Sequence, residues 1–167
     1  MARVRSDSVV EERVTIFTIL DSPIGPLGVT KNEEGAITEI TFHPKVHARA
    51  SGFDDIAKQL DEYFAGKRKT FELALAPKGT PFQLSVWNEL LAIPYGSTRS
   101  YQEVANAIGR PAATRAVGAA NGANPIPIVV PCHRVIGSNG SLTGFGGGID
   151  VKRRLLALEA GERLLLQ

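Results

Sequence analysis

The chain has a single cysteine, Cys132, followed directly by His133 and Arg134. One cysteine cannot close an internal disulfide, and with three histidines it does not supply the paired spacings of a structural zinc site. Taken alone, such a pair reads as a small buried hydrophobe beside an imidazole, because cysteine is often buried for packing. Its setting adds a chemical reading. The proline-stiffened, extended apolar segment Asn124-Pro125-Ile126-Pro127-Ile128-Val129-Val130 leads into Pro131-Cys132, and a flexible loop from Gly140 to Gly148 can fold over the thiol. A thiol attacks as its thiolate, so His133 could draw off the proton, directly or through a water. That would raise the thiolate fraction above that of a free thiol of pKa about 8.5. Glu159, at the edge of an apolar helix face, could orient the imidazole, or it could be an ordinary salt bridge at a helix end. The loop Gly144-Phe145-Gly146-Gly147-Gly148 is not a Walker loop, since no Gly-Lys-Ser/Thr follows it.

The elements that must hold these residues can be read from pattern. Residues 14–42 form a β-meander, with β-rich runs separated by the turn signals Ser22-Pro23-Ile24-Gly25-Pro26 and Asn32 to Gly35. Ile56, Leu60, Tyr63 and Phe64 recur at helical spacing, Gly66 ends that helix, and an extended stretch from Phe71 to Leu75 follows. Residues 76–79 read as a linker. Thr80-Pro81-Phe82-Gln83 is a capping box with proline at the first helical position, and Phe82, Val86 and Leu90, with Trp87 and Leu91 beside them, give that helix a buried face. Ser100-Tyr101-Gln102-Glu103 opens a second helix, ended by Gly109 and Pro111. About two residues later begins a third, Ala112 to Asn121. Ala113, Ala116, Val117 and Ala120 face inward on it, and Arg115 projects from a slim face among small residues. Two short helices joined by a tight turn suit a helix-turn-helix approaching a nucleic-acid groove, and suit equally a small-residue helix packed inside the protein. Asp150 can cap a last helix carrying Val151, Leu155 and Leu158.

Composition bounds these readings. In 167 residues, 43% hydrophobic and 22% charged, a globular core is expected. The first 13 residues alternate charged with small side chains, match no leader pattern and read as a disordered tail, and no apolar run approaches a membrane span, so a cytoplasmic protein is expected. Net charge is only +2, with 11 basic and 12 acidic residues up to Gly79 and 8 against 5 beyond it. That places +3 on the C-terminal half, compatible with a DNA face there but too small to argue for one alone.

From Thr80 to Ala160 the residues resemble the O6-alkylguanine-DNA alkyltransferases, also called methylated-DNA-protein-cysteine methyltransferases. The resemblance rests on Pro131-Cys132-His133-Arg134-Val135, Arg115-Ala116-Val117-Gly118, Asn124-Pro125-Ile126-Pro127-Ile128, Trp87, Ile93-Pro94-Tyr95-Gly96, Ser100-Tyr101, the glycine loop and Glu159. Residues 14–75, especially Ser22-Pro23-Ile24-Gly25-Pro26-Leu27, resemble that family's N-terminal domain in layout. The implied fold is α+β: a small ribonuclease-H-like sheet-plus-helix domain over 14–75, then a mostly helical domain over 80–167 carrying a helix-turn-helix. The implied activity is DNA repair by transfer of an alkyl group from O6 of guanine, with O4 of thymine a further candidate, irreversibly onto Cys132.

The resemblance also implies roles. His133 matches a water-linked base and Glu159 the acid that polarises it. Asn124 matches the residue tying recognition helix to active site. Tyr101 matches a tyrosine that crowds the target phosphate and donates to the base. Arg115 matches the finger entering the stack after the nucleotide leaves, with Ala116 and Gly118 beside it on the DNA face, in the minor groove. Backbone at Cys132 and Val135 matches acceptors for the guanine amino group, and Phe145, Gly146 and Gly147 line the substrate loop, with a Gly146 N–H toward O6. Phe145 and Gly146 replace a tyrosine and a serine found in some members, which bears on loop mobility and alkyl range. Some members hold zinc through N-terminal cysteines, absent here, so no metal and no cofactor are expected. The expected partner is duplex DNA containing O6-alkylguanine, met by a monomer, with cooperation between neighbours on DNA left open. Two rivals remain: a non-catalytic binder of alkylation damage, whose known members lack the cysteine, and a cysteine hydrolase, which would turn over.

Overall fold

A computed structural model describes residues 14–162, so the expected tail over residues 1–13 lies outside the described residues. Strands β1 (Ile16–Leu20), β2 (Leu27–Lys31) and β3 (Ile37–Phe42) form the expected antiparallel meander in that order. The turn between β2 and β3 is made by Asn32, whose Oδ1 accepts from the N–H groups of Glu34 (3.1 Å) and Ala36 (2.9 Å). This is the local bond by which asparagine nucleates turns. Gly28 in β2 is required by close packing, since a Cβ there would lie 2.5 Å from Thr41 Oγ1 and 2.8 Å from the Phe17 ring.

Helix α1 (Asp54–Phe64) buries Ile56, Leu60, Tyr63 and Phe64, the set its spacing predicts, and Gly66 ends it at φ +74°. The expected extended segment 71–75 makes only one parallel bridge, Leu75 to Ile37. The reason lies in Gln59 of α1, whose amide donates to Glu72 O (3.1 Å) and accepts from Glu72 N–H (2.9 Å). A side chain thus satisfies backbone groups that a neighbouring strand would otherwise pair.

Helix α2 (Pro81–Leu91) begins with the full capping box: Thr80 Oγ1 accepts from Gln83 N–H (3.1 Å), and Gln83 Oε1 accepts from Thr80 N–H (2.9 Å). Val86, Trp87 and Leu90 are buried as expected, but Leu91 is 48% exposed. In the preceding linker, a Cβ at Gly79 would sit 2.5 Å from the Trp87 ring. Helix α3 (Tyr101–Ala107) starts where Ser100 Oγ accepts from Glu103 N–H (3.1 Å).

The turn to α4 (Thr114–Gly122) is longer than expected, running over residues 108–113. Pro111 follows Arg110 there, Ala113 N–H bonds back to Arg110 O (2.9 Å), and Gln102 ties the turn by donating to Pro111 O (2.8 Å). The helix therefore starts two residues later than its apolar period suggests. Val117, Ala120 and Asn121 form its buried face, while Ala116 is exposed rather than inward.

Two two-residue strands, β4 (Arg99–Ser100) and β5 (Val135–Ile136), pair in parallel and join the start of α3 to the segment after the cysteine. Helix α5 (Ile149–Glu159) starts one residue before Asp150, so Asp150 is not its cap; its carboxylate instead takes Arg153 Nη1 at 2.9 Å. One apolar core runs from Leu27 and Ile40 of the sheet through Tyr63 of α1 to Leu90, Val117 and Leu155 of the helical domain. The two domains are therefore packed through shared core.

Candidate active site

The segment before the cysteine is a compact buried loop, not an extended one. Val130 N–H reaches back to Ile126 O (2.9 Å), and Ile128 sits at φ +73°, a strained conformation for a β-branched residue. Asn124 closes this loop. Its Nδ2 donates to Val130 O (2.8 Å) and its Oδ1 accepts from Ile126 N–H (3.0 Å). Prolines 125 and 127 deny the loop two further backbone donors, which leaves the side-chain amide to organise it. The chain then enters a single 3-10 turn, Cys132–Arg134, with Cys132 only 4% exposed.

Behind the thiol lies a network centred on Glu159. The carboxylate Oε2 accepts from His133 Nε2 (2.6 Å), from the Tyr63 hydroxyl (2.6 Å) and from Arg134 Nη2 (3.1 Å), and Oε1 accepts from Arg134 Nε (2.7 Å). Arg134 also donates to Ile93 O (2.7 Å). Burial alone would raise the Glu159 pKa, but donation from His133 and Arg134 outweighs it and holds the group at about 2. Burial lowers the His133 pKa, against the pull of Glu159. An ionised carboxylate can only accept, so the neutral imidazole carries its proton on Nε2 and exposes the Nδ1 lone pair. That Nδ1 is buried and has no hydrogen-bond partner among the described residues.

Electrostatics at the sulfur run opposite to expectation. Burial pushes the Cys132 thiol up to about 11, with the Asn124 side chain and the Lys152 charge acting the other way. His133 and Glu159 thus do not raise the resting thiolate fraction. Lys152 is itself fully buried, donating from Nζ to Val135 O (2.6 Å) and Thr143 O (3.0 Å), and burial lowers its pKa.

Cys132 opens onto a cleft of about 420 Å³ bounded by Asn124, Pro127, Phe145 and Gly146 on one side and by Glu39 and Phe42 of β3 on the other. The Phe145 ring lies 5.5 Å from that of Phe42. Gly147 permits this pairing, because a Cβ there would come within 3.0 Å of Phe145 and 3.1 Å of Phe42, whereas a side chain at Gly146 would meet open space.

The other expected site residues stand outside this cleft. The half-buried Tyr101 donates from its hydroxyl to Thr143 O (3.2 Å), and its ring lies 3.9 Å from where a Gly118 Cβ would be. Arg115 and Ala116 are exposed on α4, and Arg115 makes no ion pair among the described residues. Val135 is buried, and its carbonyl accepts from Lys152 Nζ, while the Cys132 carbonyl accepts both from Asn121 Nδ2 (3.3 Å) and from the Val135 N–H that closes the 3-10 turn. Sequence reasoning missed Tyr63, Arg134, Lys152 and Asn121 as members of the site. One signal was present for Lys152: with Leu155 and Glu159 it occupies i, i+3 and i+7, a single helical face.

A buried cysteine beside a neutral imidazole, set behind a helix-turn-helix with an exposed arginine, defines a cysteine nucleophile on a nucleic-acid-binding scaffold. Residues 81–161 match the model described as the DNA binding domain of 6-O-methylguanine DNA methyltransferase, and residues 15–77 match its ribonuclease-like domain. The chain belongs to the 6-O-methylguanine DNA methyltransferase family. It is 50% identical over 151 residues to the methylated-DNA--protein-cysteine methyltransferase of Methanosarcina acetivorans, covering 86% of this chain and 97% of that one. It is 51% identical over 152 residues to that of Mycobacterium tuberculosis, covering 86% and 91%. Among solved structures, the Mycobacterium tuberculosis O6-methylguanine methyltransferase superposes with a TM-score of 0.82 at 47% identity, covering 89% and 94%. The Mycobacterium tuberculosis OGT in complex with DNA gives 0.81 at 49%, covering 87% and 92%.

Proposed function

We infer that this protein repairs DNA by a single, irreversible transfer of an alkyl group from O6 of guanine in duplex DNA to Cys132. The observation that carries the chemistry is the arrangement around His133, with Nε2 committed to Glu159 and Nδ1 unpartnered beside the residue bearing the thiol. At pH 7 a thiol of pKa about 11 costs about 5 kcal/mol to ionise, at about 1.4 kcal/mol per unit. A standing thiolate is therefore scarce, and the proton must leave as sulfur attacks. In that step the S–C bond forms as the C–O6 bond breaks, the thiol proton passes through a water to His133 Nδ1, and the C–O6 electron pair stays on guanine. The base takes a proton in turn, donated by Tyr101; the tyrosinate is then reprotonated from solvent and the His133 imidazolium returns its proton to solvent, so the net movement is one proton from thiol to guanine.

Asn124 supports the turn that presents the sulfur. Phe145, Gly146 and Gly147 form the lip over the flipped base. Arg115, exposed with Ala116 on the outer face of α4 and close to Gly118, is suited to fill the gap in the stack. That offsets part of the few kcal/mol that extrusion of a base costs. The Cys132 and Val135 carbonyls already accept within the protein, so the guanine amino group would share these acceptors with Asn121 and Lys152. The reading also places the protein in the cytoplasm, in keeping with a DNA substrate and a reduced thiol nucleophile, and has it acting as a monomer.

The experiment is a comparison of wild type with Cys132→Ser on a duplex containing O6-methylguanine. Both should bind the duplex and only wild type should restore guanine. Guanine restored by Cys132→Ser would remove the sulfur from the reaction.

A further inference from the structure

Glu159 Oε2, which also takes Arg134 Nη2 at 3.1 Å, joins donors from two domains. It accepts from His133 Nε2 at 2.6 Å and from the hydroxyl of Tyr63, on α1 of the N-terminal domain, also at 2.6 Å. The Tyr63 side chain is fully buried and its ring is wedged among Phe64 (5.3 Å between centroids), Phe71 (5.3 Å) and Tyr95 (6.3 Å). It has no rotational freedom with which to find another acceptor. The hydroxyl also stays protonated, since burial, reinforced by the Glu159 charge, pushes its pKa far above the usual tyrosine value. It is thus a permanent donor aimed at one oxygen.

We propose that Tyr63 is a positioning residue for the alkyl transfer, its hydroxyl fixing the Glu159 carboxylate on His133 and drawing off part of the charge that would otherwise act on the imidazole. The inference rests on His133 as the proton acceptor in the proposed reaction. It gives the N-terminal domain a part in the chemistry, although that domain contributes nothing to the 3-10 turn that bears the thiol. A carboxylate oxygen shared between two donors binds each less strongly than it would bind one. Without the Tyr63 donor, Glu159 would pull harder on the His133 proton, make the imidazole more basic and close its Nδ1 lone pair at higher pH.

The other groups facing this network set the background. Arg134 pairs with Glu159 from the 3-10 turn, Lys152 acts on His133 from α5, and Tyr95 faces Glu159 from the loop after α2. None of them is altered by removing one hydroxyl.

The test is Tyr63→Phe, which keeps the ring and removes only the oxygen. Phe71→Leu serves as a packing control, because it loosens the same aromatic cluster without touching Glu159. The readouts are the His133 ring-nitrogen NMR titration in the free protein and the single-turnover transfer rate between roughly pH 5 and 8. In Tyr63→Phe the His133 midpoint should rise by about one pH unit, the order expected for losing a hydrogen bond to a charged group. The acid limb of the rate profile should move up with it, so transfer slows about tenfold at the acid end and little at the alkaline end. Phe71→Leu should melt earlier with both midpoints unmoved. Unchanged midpoints in Tyr63→Phe, or the same shift in Phe71→Leu, would overturn the proposal and leave Tyr63 as packing. If wild type transferred nothing to Cys132, the proposed function would fail, and the His133 titration of the free protein would still decide whether Tyr63 tunes the imidazole.

Discussion

Replacing Glu159 by glutamine removes one negative charge from a point where three side-chain donors converge. The amide can offer oxygen to one side only. Its NH2 must then face either Arg134 Nε or the side shared by His133, Tyr63 and Arg134 Nη2, and because the guanidinium can only donate, either orientation sets donor against donor. The magnitude follows from the carboxylate's depressed pKa, about 2 against an ordinary 4.5. At about 1.4 kcal/mol per unit that is about 3 kcal/mol of fold stability. Breaking one partner of a buried ion pair costs about 3–5 kcal/mol by independent reasoning, so the two routes agree. The sign is fixed: a folded pKa below the unfolded one gives stability that is fully present above pH 4.5 and lost as pH falls through 2. Urea denaturation should therefore separate wild type from Glu159→Gln by about 3–5 kcal/mol at neutral pH, with a gap that narrows below pH 4.5. The transfer rate near neutral pH should fall while duplex affinity stays nearly unchanged, because Glu159 faces the interior. A neutral-pH gap under about 1 kcal/mol, typical of an exposed pair, or one that does not narrow in acid, would refute the buried-charge reasoning.

Cys132 should react with iodoacetamide slowly at neutral pH, with a midpoint near 11; a midpoint at or below the free-thiol value of about 8.5 would show an activated resting thiolate. Arg115→Ala should slow repair of duplex DNA strongly and leave the slow reaction with free O6-benzylguanine largely intact, whereas equal loss on both would make Arg115 scaffold. Gly146→Ser should be accepted with little loss of stability. Gly147→Ala, whose Cβ meets Phe145 and Phe42 at 3.0–3.1 Å, should loosen the loop and slow transfer, and equal behaviour of the two variants would exclude that packing.

The local rules made much of this molecule readable. The Thr80 capping box, the Asn32 turn and the Tyr63 periodicity each depend on residues within one turn of one another, and all three form as read. Helix α4 was displaced because its true start depends on Gln102, twelve residues before Thr114, which no apolar period reveals. The segment 124–130 reads as extended because its prolines exclude helix; a loop closed by the Asn124 side chain satisfies the same restriction. The Glu159 network was half legible. Proximity of His133 to Glu159 followed from a family resemblance, whereas Tyr63 lies 96 residues away from Glu159 and had already been assigned to packing by its helical spacing. The direction of the Cys132 shift was missed for a different reason. Burial depth, which dominates it, is a property of the assembled core and not of neighbours in the chain.

The most direct test of the central claim is the intact mass of the protein after incubation with excess duplex containing O6-methylguanine. A thioether has no carbonyl for water to attack and no disulfide for a thiol to exchange, so Cys132 has no route back to a free thiol. The expected result is a gain of one methyl group on Cys132 alone, with restored guanine never exceeding one equivalent per protein. Repeated turnover, or full duplex binding with no adduct on Cys132, would contradict it.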